Sequence, residues 1–216
     1  SIQDSAIRHI IEKKTSKSLI KPSMPFDISI LREEQKRLTA IIKNSGYYTF
    51  NESNIYFTAD TTKGPKHVEI SMTIKENSDS PDGSYKKSKI RNIYIYPDFN
   101  AVESIKQTIQ YDTIPYTSNT YFLYTNPSFL KPEVIQRANY IHPDSLYSAS
   151  ATLKTQRQLV QNKLFKLVTI SYKQVENSNN DFQYIDCYMY ITPHTRQSFT
   201  AEVEGTNTGG DWGAEI

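Results

Sequence analysis

The chain has 216 residues, enough for one large domain or two of ordinary size. Its 25 Lys and Arg stand against 23 Asp and Glu, so the basic excess of a general nucleic-acid binder is absent and no nucleic-acid partner is expected. A single cysteine, Cys187, excludes an internal disulfide or a cysteine cluster, and no apolar run reaches the ~18 residues of a transmembrane helix.

Ile7, Ile10 and Ile11 recur at helical spacing within residues 4–14, with Asp4 or Ser5 available as the N-cap. So short a helix is marginal alone and must pack on something. Lys17 to Pro25 reads as a linker. The helix from about Ser29 to Asn44 is strongly periodic, with Ile30, Leu31, Leu38, Ile41 and Ile42 as its apolar stripe and Asp27 or Ser29 as its cap. Gly46 is placed for a left-handed C-cap, and Tyr47, Tyr48 and Phe50 form a plug between helix end and sheet. Ile55 and Phe57 alternate with Tyr56 and Thr58 in a strand at about 54–60. Gly64-Pro65 marks a turn, and Val68, Ile70, Met72 and Ile74 form one face of the next strand.

The polar run NSDSPDGS separates this unit from a second one. That unit opens with an aromatic and β-branched strand at 89–96, ended by Pro97. Residues 98–119 read as irregular, followed by a short strand at 120–125 and a short helix from Pro132 to Ala138. A longer helix at about 148–163 carries Leu153, Leu159 and Val160 on its apolar side. A strand at 166–175, a polar turn at 176–181 and a strand at 184–191 follow. In the last strand Ile185, Cys187, Met189 and Ile191 face one way, and Tyr184, Asp186, Tyr188 and Tyr190 the other. Cys187 reads as a buried small hydrophobe.

The two units repeat. IIKNSGYYTF at 41–50 lies over LVQNKLFKLV at 159–168, so that Tyr47 matches Phe165, and each segment precedes two alternating strands. The first unit lacks an opening strand of the kind the second has. The expected division is a first domain at 1–76, a linker at 77–85 and a second domain at 86–195, with an insertion around 100–128. The end, 196–216, differs: SFTAEVEG alternates, and TNTGGDWG is rich in glycine, as in an ordinary strand and tail or the start of a membrane β-barrel.

The string from Phe26 to Phe50, FDISILREEQKRLTAIIKNSGYYTF, resembles a POTRA domain of the BamA/TamA family of outer-membrane assembly and translocation proteins. It is most similar to the TamA-like proteins of Bacteroidetes. IYFTADT at 55–61 and RNIYIYPDF at 91–99 share the resemblance, as does the ending FTAEVEGTNTGGDWG, which resembles the junction between the last POTRA domain and the first barrel strand. The resemblance implies an α+β fold: tandem POTRA-like domains, each a small mixed three-stranded sheet packed against two helices. The last strand lies in the middle and the penultimate one at an edge, and the first domain lacks its opening strand. It implies a periplasmic arm ahead of an outer-membrane barrel, with Phe199, Gly205, Gly209, Gly210 and Trp212 at the junction. No cofactor and no covalent chemistry are implied. The partners would be unfolded outer-membrane proteins or exported clients, with accessory periplasmic proteins or lipoproteins, and membrane association would run through the barrel.

Under that resemblance the exposed edges are 54–60 and 166–175. A strand with unpaired backbone groups can accept a client strand with little demand on its sequence. The candidate groups are the backbones of Ile55, Phe57, Thr169 and Ser171, flanked by Tyr56 and Tyr172, and proline at Thr169 is the expected way to weaken pairing. Gly46, Tyr47 and Phe165 are read as structural. The enzyme reading finds no support in motifs: the four histidines share no metal-ligand spacing, and no phosphate loop or nucleophile elbow occurs. The alternative is a scaffold or adhesion module that binds one fixed protein partner, with an epitope around Tyr111, Tyr116, Tyr121, Phe122 and Tyr124.

Overall fold

Asp4 starts the first helix, α1 (Ser5–Glu12): its carboxylate accepts the N–H groups of Ala6 and Ile7, and the helix buries Ile7 and Ile11. The computed structural model describes residues 4–62, 64, 67–78, 83–106, 108–126, 130–176, 181–194, 204–208 and 211–215. Pro65, part of the 77–85 linker, residues 177–180 of the expected turn, and Phe199, Gly209 and Gly210 lie outside these.

Asp27 caps α2 (Ile28–Asn44). Leu38 and Ile42 are buried, while Ile30, Leu31 and Ile41 are half-buried. The apolar pattern did not reveal Glu34, which is also buried. Its carboxylate takes two bonds of 2.7 Å from Arg37, one from the Ser18 hydroxyl at 2.8 Å and one from the Leu19 N–H at 3.0 Å. A charged group survives there because every lone-pair direction finds a donor, and the connection after α1 is thereby pinned to α2. β1 (Ile55–Asp60) and β2 (Glu69–Ile74) form an antiparallel pair, with Ile55 opposite Ile74 and Phe57 opposite Met72. Tyr47, Phe50, Ile55 and Tyr85 close a core with Ile7, Leu38 and Ile42.

The end of α2 fulfils the expected cap. Tyr47 N–H bonds Ile42 C=O and Gly46 N–H bonds Lys43 C=O, the two contacts of a Schellman motif, and Gly46 sits at φ 109°. The second long helix also ends on a left-handed residue, Lys163 at φ 54°, whose N–H bonds Val160 C=O at 3.3 Å.

The second unit contains β3 (Lys87–Tyr96), α3 (Ala101–Lys106), β4 (Asp112–Thr117), β5 (Thr120–Tyr124), α4 (Pro132–Gln136), α5 (Ala149–Gln161), β6 (Phe165–Gln174) and β7 (Phe182–Pro193). The sheet order is β4-β5-β3-β7-β6. Its β3-β7-β6 part is the expected arrangement, with the last strand in the middle and the penultimate one at an edge; β3 and β7 are parallel, β6 and β7 antiparallel. The insertion extends the three strands to five, because the β4–β5 hairpin joins the free side of β3 through parallel β5. Residues 98–119 are therefore not irregular throughout. Pro115 concealed β4 from the sequence pattern, since proline argues against an interior strand, but it is tolerated at an edge.

α4, α5 and the loop between them cover one sheet face, where Ile93, Ile95, Phe122, Cys187, Met189 and Ile191 are fully buried. Cys187 is thus in the core, as its alternation implied. Of the apolar side expected for α5, Leu159 is buried but Leu153 and Val160 are exposed, and Thr155 is buried in their stead. Thr155 is accommodated because its hydroxyl accepts the Tyr140 N–H at 2.9 Å. A bulge between Ile90 and Ile93 is clasped by buried Asp186, which binds the Arg91 guanidinium at 3.0 and 2.6 Å and the Asn92 N–H at 3.2 Å.

β8 (Glu204–Thr208) and β9 (Asp211–Glu215) form a separate antiparallel pair, with Gly205 opposite Ala214 and Trp212 opposite Asn207. Of the expected strand SFTAEVEG, only Glu204 and Gly205 are among the described residues, and they open β8.

Candidate functional site

β1, β4 and β6 each stand at the edge of a sheet where an added strand could pair, and hydrogen-bond parity fixes which of their backbone groups point outward. In an antiparallel ladder only alternate residues bond to the partner; those between present N–H and C=O to the other side. In the first sheet Lys75 N–H donates to Asn54 C=O at 2.8 Å. The bonded pairs therefore continue through Tyr56–Thr73 and Thr58–Ser71, and the outward residues of β1 are Ile55, Phe57 and Ala59. Ile55 is already occupied: its N–H bonds Glu52 C=O, and its C=O accepts Gln35 Nε2 at 2.7 Å. Phe57 and Ala59 have no such partner among the described residues. Tyr56 and Thr58 flank them as exposed side chains.

In β6 the parity is set by Val175 N–H donating to Tyr184 C=O at 2.9 Å. Thr169 then pairs with Tyr190, and Ser171 with Tyr188, so the backbones of Thr169 and Ser171 point into the sheet and are consumed there. The outward groups belong to Val168, Ile170 and Tyr172. Two of these carbonyls are covered: Gln156 Nε2 donates to Val168 C=O at 2.8 Å, and the Tyr48 hydroxyl donates to Tyr172 C=O at 3.2 Å. Proline at Ile170, not at Thr169, is therefore the change that would touch only the outer side.

At the far edge, Ile93 N–H bonds Asn119 C=O at 2.9 Å, which turns the even residues of β5 toward β4 and leaves Thr113 and Pro115 of β4 outward. Pro115 has no N–H to offer, a common way of blunting an edge.

The candidate epitope of the insertion is split by the fold. Phe122 and Tyr124 are buried core residues, whereas Tyr111 and Tyr121 are half-buried and Tyr116 is exposed. Tyr121 instead joins a row across the uncovered sheet face: it stacks on Tyr94 at 5.4 Å, and Tyr94 on Tyr188 at 5.0 Å. A parallel row pairs Tyr96 with Tyr190 at 4.9 Å. Lys173 lies over the Tyr188 ring at 5.0 Å.

The two units meet where α2 ends. Asn44 Oδ1 accepts the Ser150 N–H at 2.8 Å and the Ser148 hydroxyl at 3.2 Å, so a side chain of one unit helps cap a helix of the other. Ser88 N–H bonds Gly46 C=O at 2.8 Å. Tyr48 packs against Tyr147 at 5.1 Å and Tyr172 at 5.5 Å. Burial pushes the Tyr172 phenol up and the Lys43 ammonium down, as for groups in a dry joint. Tyr47 and Phe165, the repeat-matched pair, each plug the core of their own unit.

Among the described residues no cluster of three or more His, Cys, Asp or Glu could hold a metal, and no helix is long and apolar enough to cross a membrane. No protein-family model matches the chain, and no curated protein matches it significantly. Solved structures do. BamA from Haemophilus ducreyi lacking POTRA domains 1–3 superposes with a TM-score of 0.57 at 13% identity, over 90% of this chain and 28% of that one. The fold is that of POTRA-like domains. Haemophilus influenzae BamA POTRA3-5 matches at a TM-score of 0.29 and 8% identity, over 89% of this chain and 94% of that one. The N-terminal domain of Omp85 from Thermosynechococcus elongatus matches at 0.29 and 10%, over 90% and 95%. The chain spans little more than a quarter of the Haemophilus ducreyi protein, 28%.

Proposed function

We propose that this chain is the periplasmic arm of an outer-membrane protein assembly or translocation factor of the BamA/TamA kind, of the TamA-like Bacteroidetes type. It would receive unfolded client polypeptides as added strands and hand them to a C-terminal barrel. Its domains are 1–76 and 86–195, joined by 77–85, and 196–216 begins the barrel or its junction. The observation that supports this most is the superposition on BamA over 90% of the chain, together with an edge strand whose outward groups at Phe57 and Ala59 have no partner among the described residues. Edge pairing needs no particular client sequence, which suits a factor that handles many barrel proteins.

The test is an antibody raised against this chain. The reading expects a membrane-embedded product much longer than the 216 residues here, in the outer-membrane fraction, whose gel mobility shifts on heating as a folded barrel's does. A soluble product without a heat shift would overturn it and favour the scaffold reading, for which the tyrosine rows on the second sheet are the available surface.

A further inference from the structure

Resting on that reading, we infer that the edges are not equivalent: β1, at Phe57 and Ala59, is the strand acceptor, while β6 is latched shut by Gln156 and Tyr48. An incoming strand registers on an edge through consecutive outward residues, each giving one N–H and one C=O. Phe57 and Ala59 supply four such groups in a row, beside exposed Tyr56 and Thr58. On β6 the open residue Ile170 lies between two capped carbonyls, Val168 and Tyr172, so no two consecutive outward residues are free from 168 to 172. On β4, Pro115 removes a donor from the outward row. The latch has two origins. Gln156 comes from α5, packed beside β6, whereas Tyr48 comes from the other unit, so closure of β6 depends on the joint between the units staying made.

The occupant is an extended polypeptide with the alternating polar and apolar residues of a barrel strand. The probe is a biotinylated synthetic ten-residue peptide of that pattern, mixed with the purified full-length protein. A photo-crosslinking phenylalanine replaces Tyr56, Thr58, Thr169 or Lys173 in turn, all of them exposed. Crosslinking at Tyr56 and Thr58 is expected to exceed that at Thr169 and Lys173 by at least about five-fold, the factor that one net hydrogen bond supplies. Ala59→Pro, which removes only an outward N–H, is expected to abolish the signal at Tyr56 while circular dichroism stays unchanged. Gln156→Leu combined with Tyr48→Phe is expected to raise the signal at Thr169. Equal yields at both edges, or no rise in the double variant, would overturn the latch and leave edge pairing standing. Silence at all four positions would overturn edge pairing itself.

Discussion

At the scale of single residues, two helix ends and one buried carboxylate make the sharpest claims. Gly46 and Lys163 occupy the same left-handed position after their helices, at φ 109° and 54°. Glycine adopts that conformation freely, but a residue with a Cβ is strained there by about 1 kcal/mol. Lys163→Gly is therefore expected to stabilise the protein by about 0.5–1 kcal/mol, read as a higher denaturant midpoint at unchanged slope; a lower midpoint would show that the lysine makes a compensating contact. Burial alone would push the Glu34 carboxyl up, but the bonds from Arg37, Leu19 and Ser18 outweigh it and hold the group below its ordinary 4.5. In the unfolded chain it returns to that value. Its contribution is then complete above 4.5 and is lost as pH falls through the lower folded value. Glu34→Gln should cost about 1.5–3 kcal/mol at neutral pH. The gap to the parent should narrow as pH falls below 4.5, and a gap independent of pH would disprove the charge account. The sequence displayed the Gly46 cap openly, through its position after a periodic run. It hid Glu34, because a glutamate on a helix looks like a solvated residue until the folded linker brings Ser18 and Leu19 over it.

At the scale of elements, alternation revealed which faces are buried, and pairing parity revealed which backbones are free. The first was legible in β7, where Ile185, Cys187, Met189 and Ile191 are all buried as their spacing implied. The second was not, because one residue's change of parity exchanges inward and outward groups without altering composition. That is why Thr169 looked available and is not. Measured against the alanine variant of the same position, so that the core packing of Ile170 cancels, Thr169→Pro should cost about 1–3 kcal/mol through the lost ladder bond to Tyr190, whereas Ile170→Pro, on the outer side of the same strand, should cost less than about 1 kcal/mol. Thermal unfolding of the two variants decides it, and equal losses would show that the parity is wrong. The helix side chains that cover edges were equally hidden. Gln35 and Gln156 stand outside the apolar stripes of their helices, yet each donates to an outward strand carbonyl, at 2.7 and 2.8 Å. α5 carries the related lesson: polar Thr155 and Gln156 turn inward because each finds a partner, the Tyr140 N–H of the preceding loop and the Val168 C=O of β6, while the apolar pair Leu153 and Val160 stays outside.

At the scale of the whole molecule, the repeat explains why the two units share one plan and the joint explains why they can act together. The sequence made the repeat visible through IIKNSGYYTF and LVQNKLFKLV, but the joint involves pairs more than a hundred residues apart that no periodicity links, such as Asn44 with Ser150 and Tyr48 with Tyr172. The joint is small and mixed: side-chain caps, one backbone bond from Ser88 to Gly46, and a triad of tyrosines with centroids 5.1, 5.5 and 5.2 Å apart. Contacts of this kind contribute roughly 1 kcal/mol each, so a few substitutions should free the angle without unfolding either core. Spin labels on cysteines introduced at exposed Lys14 and Arg157 would report that angle as a distance distribution. The native Cys187 would not interfere, because burial pushes its thiol up to about 12 and keeps it out of solvent. Asn44→Ala with Tyr48→Ala is expected to broaden a single narrow distance peak, and to do so together with uncovering of the Tyr172 carbonyl at the β6 edge. An unchanged peak would mean that the units are held by other contacts, and that the tyrosine of one unit latches the strand of the other without fixing their arrangement.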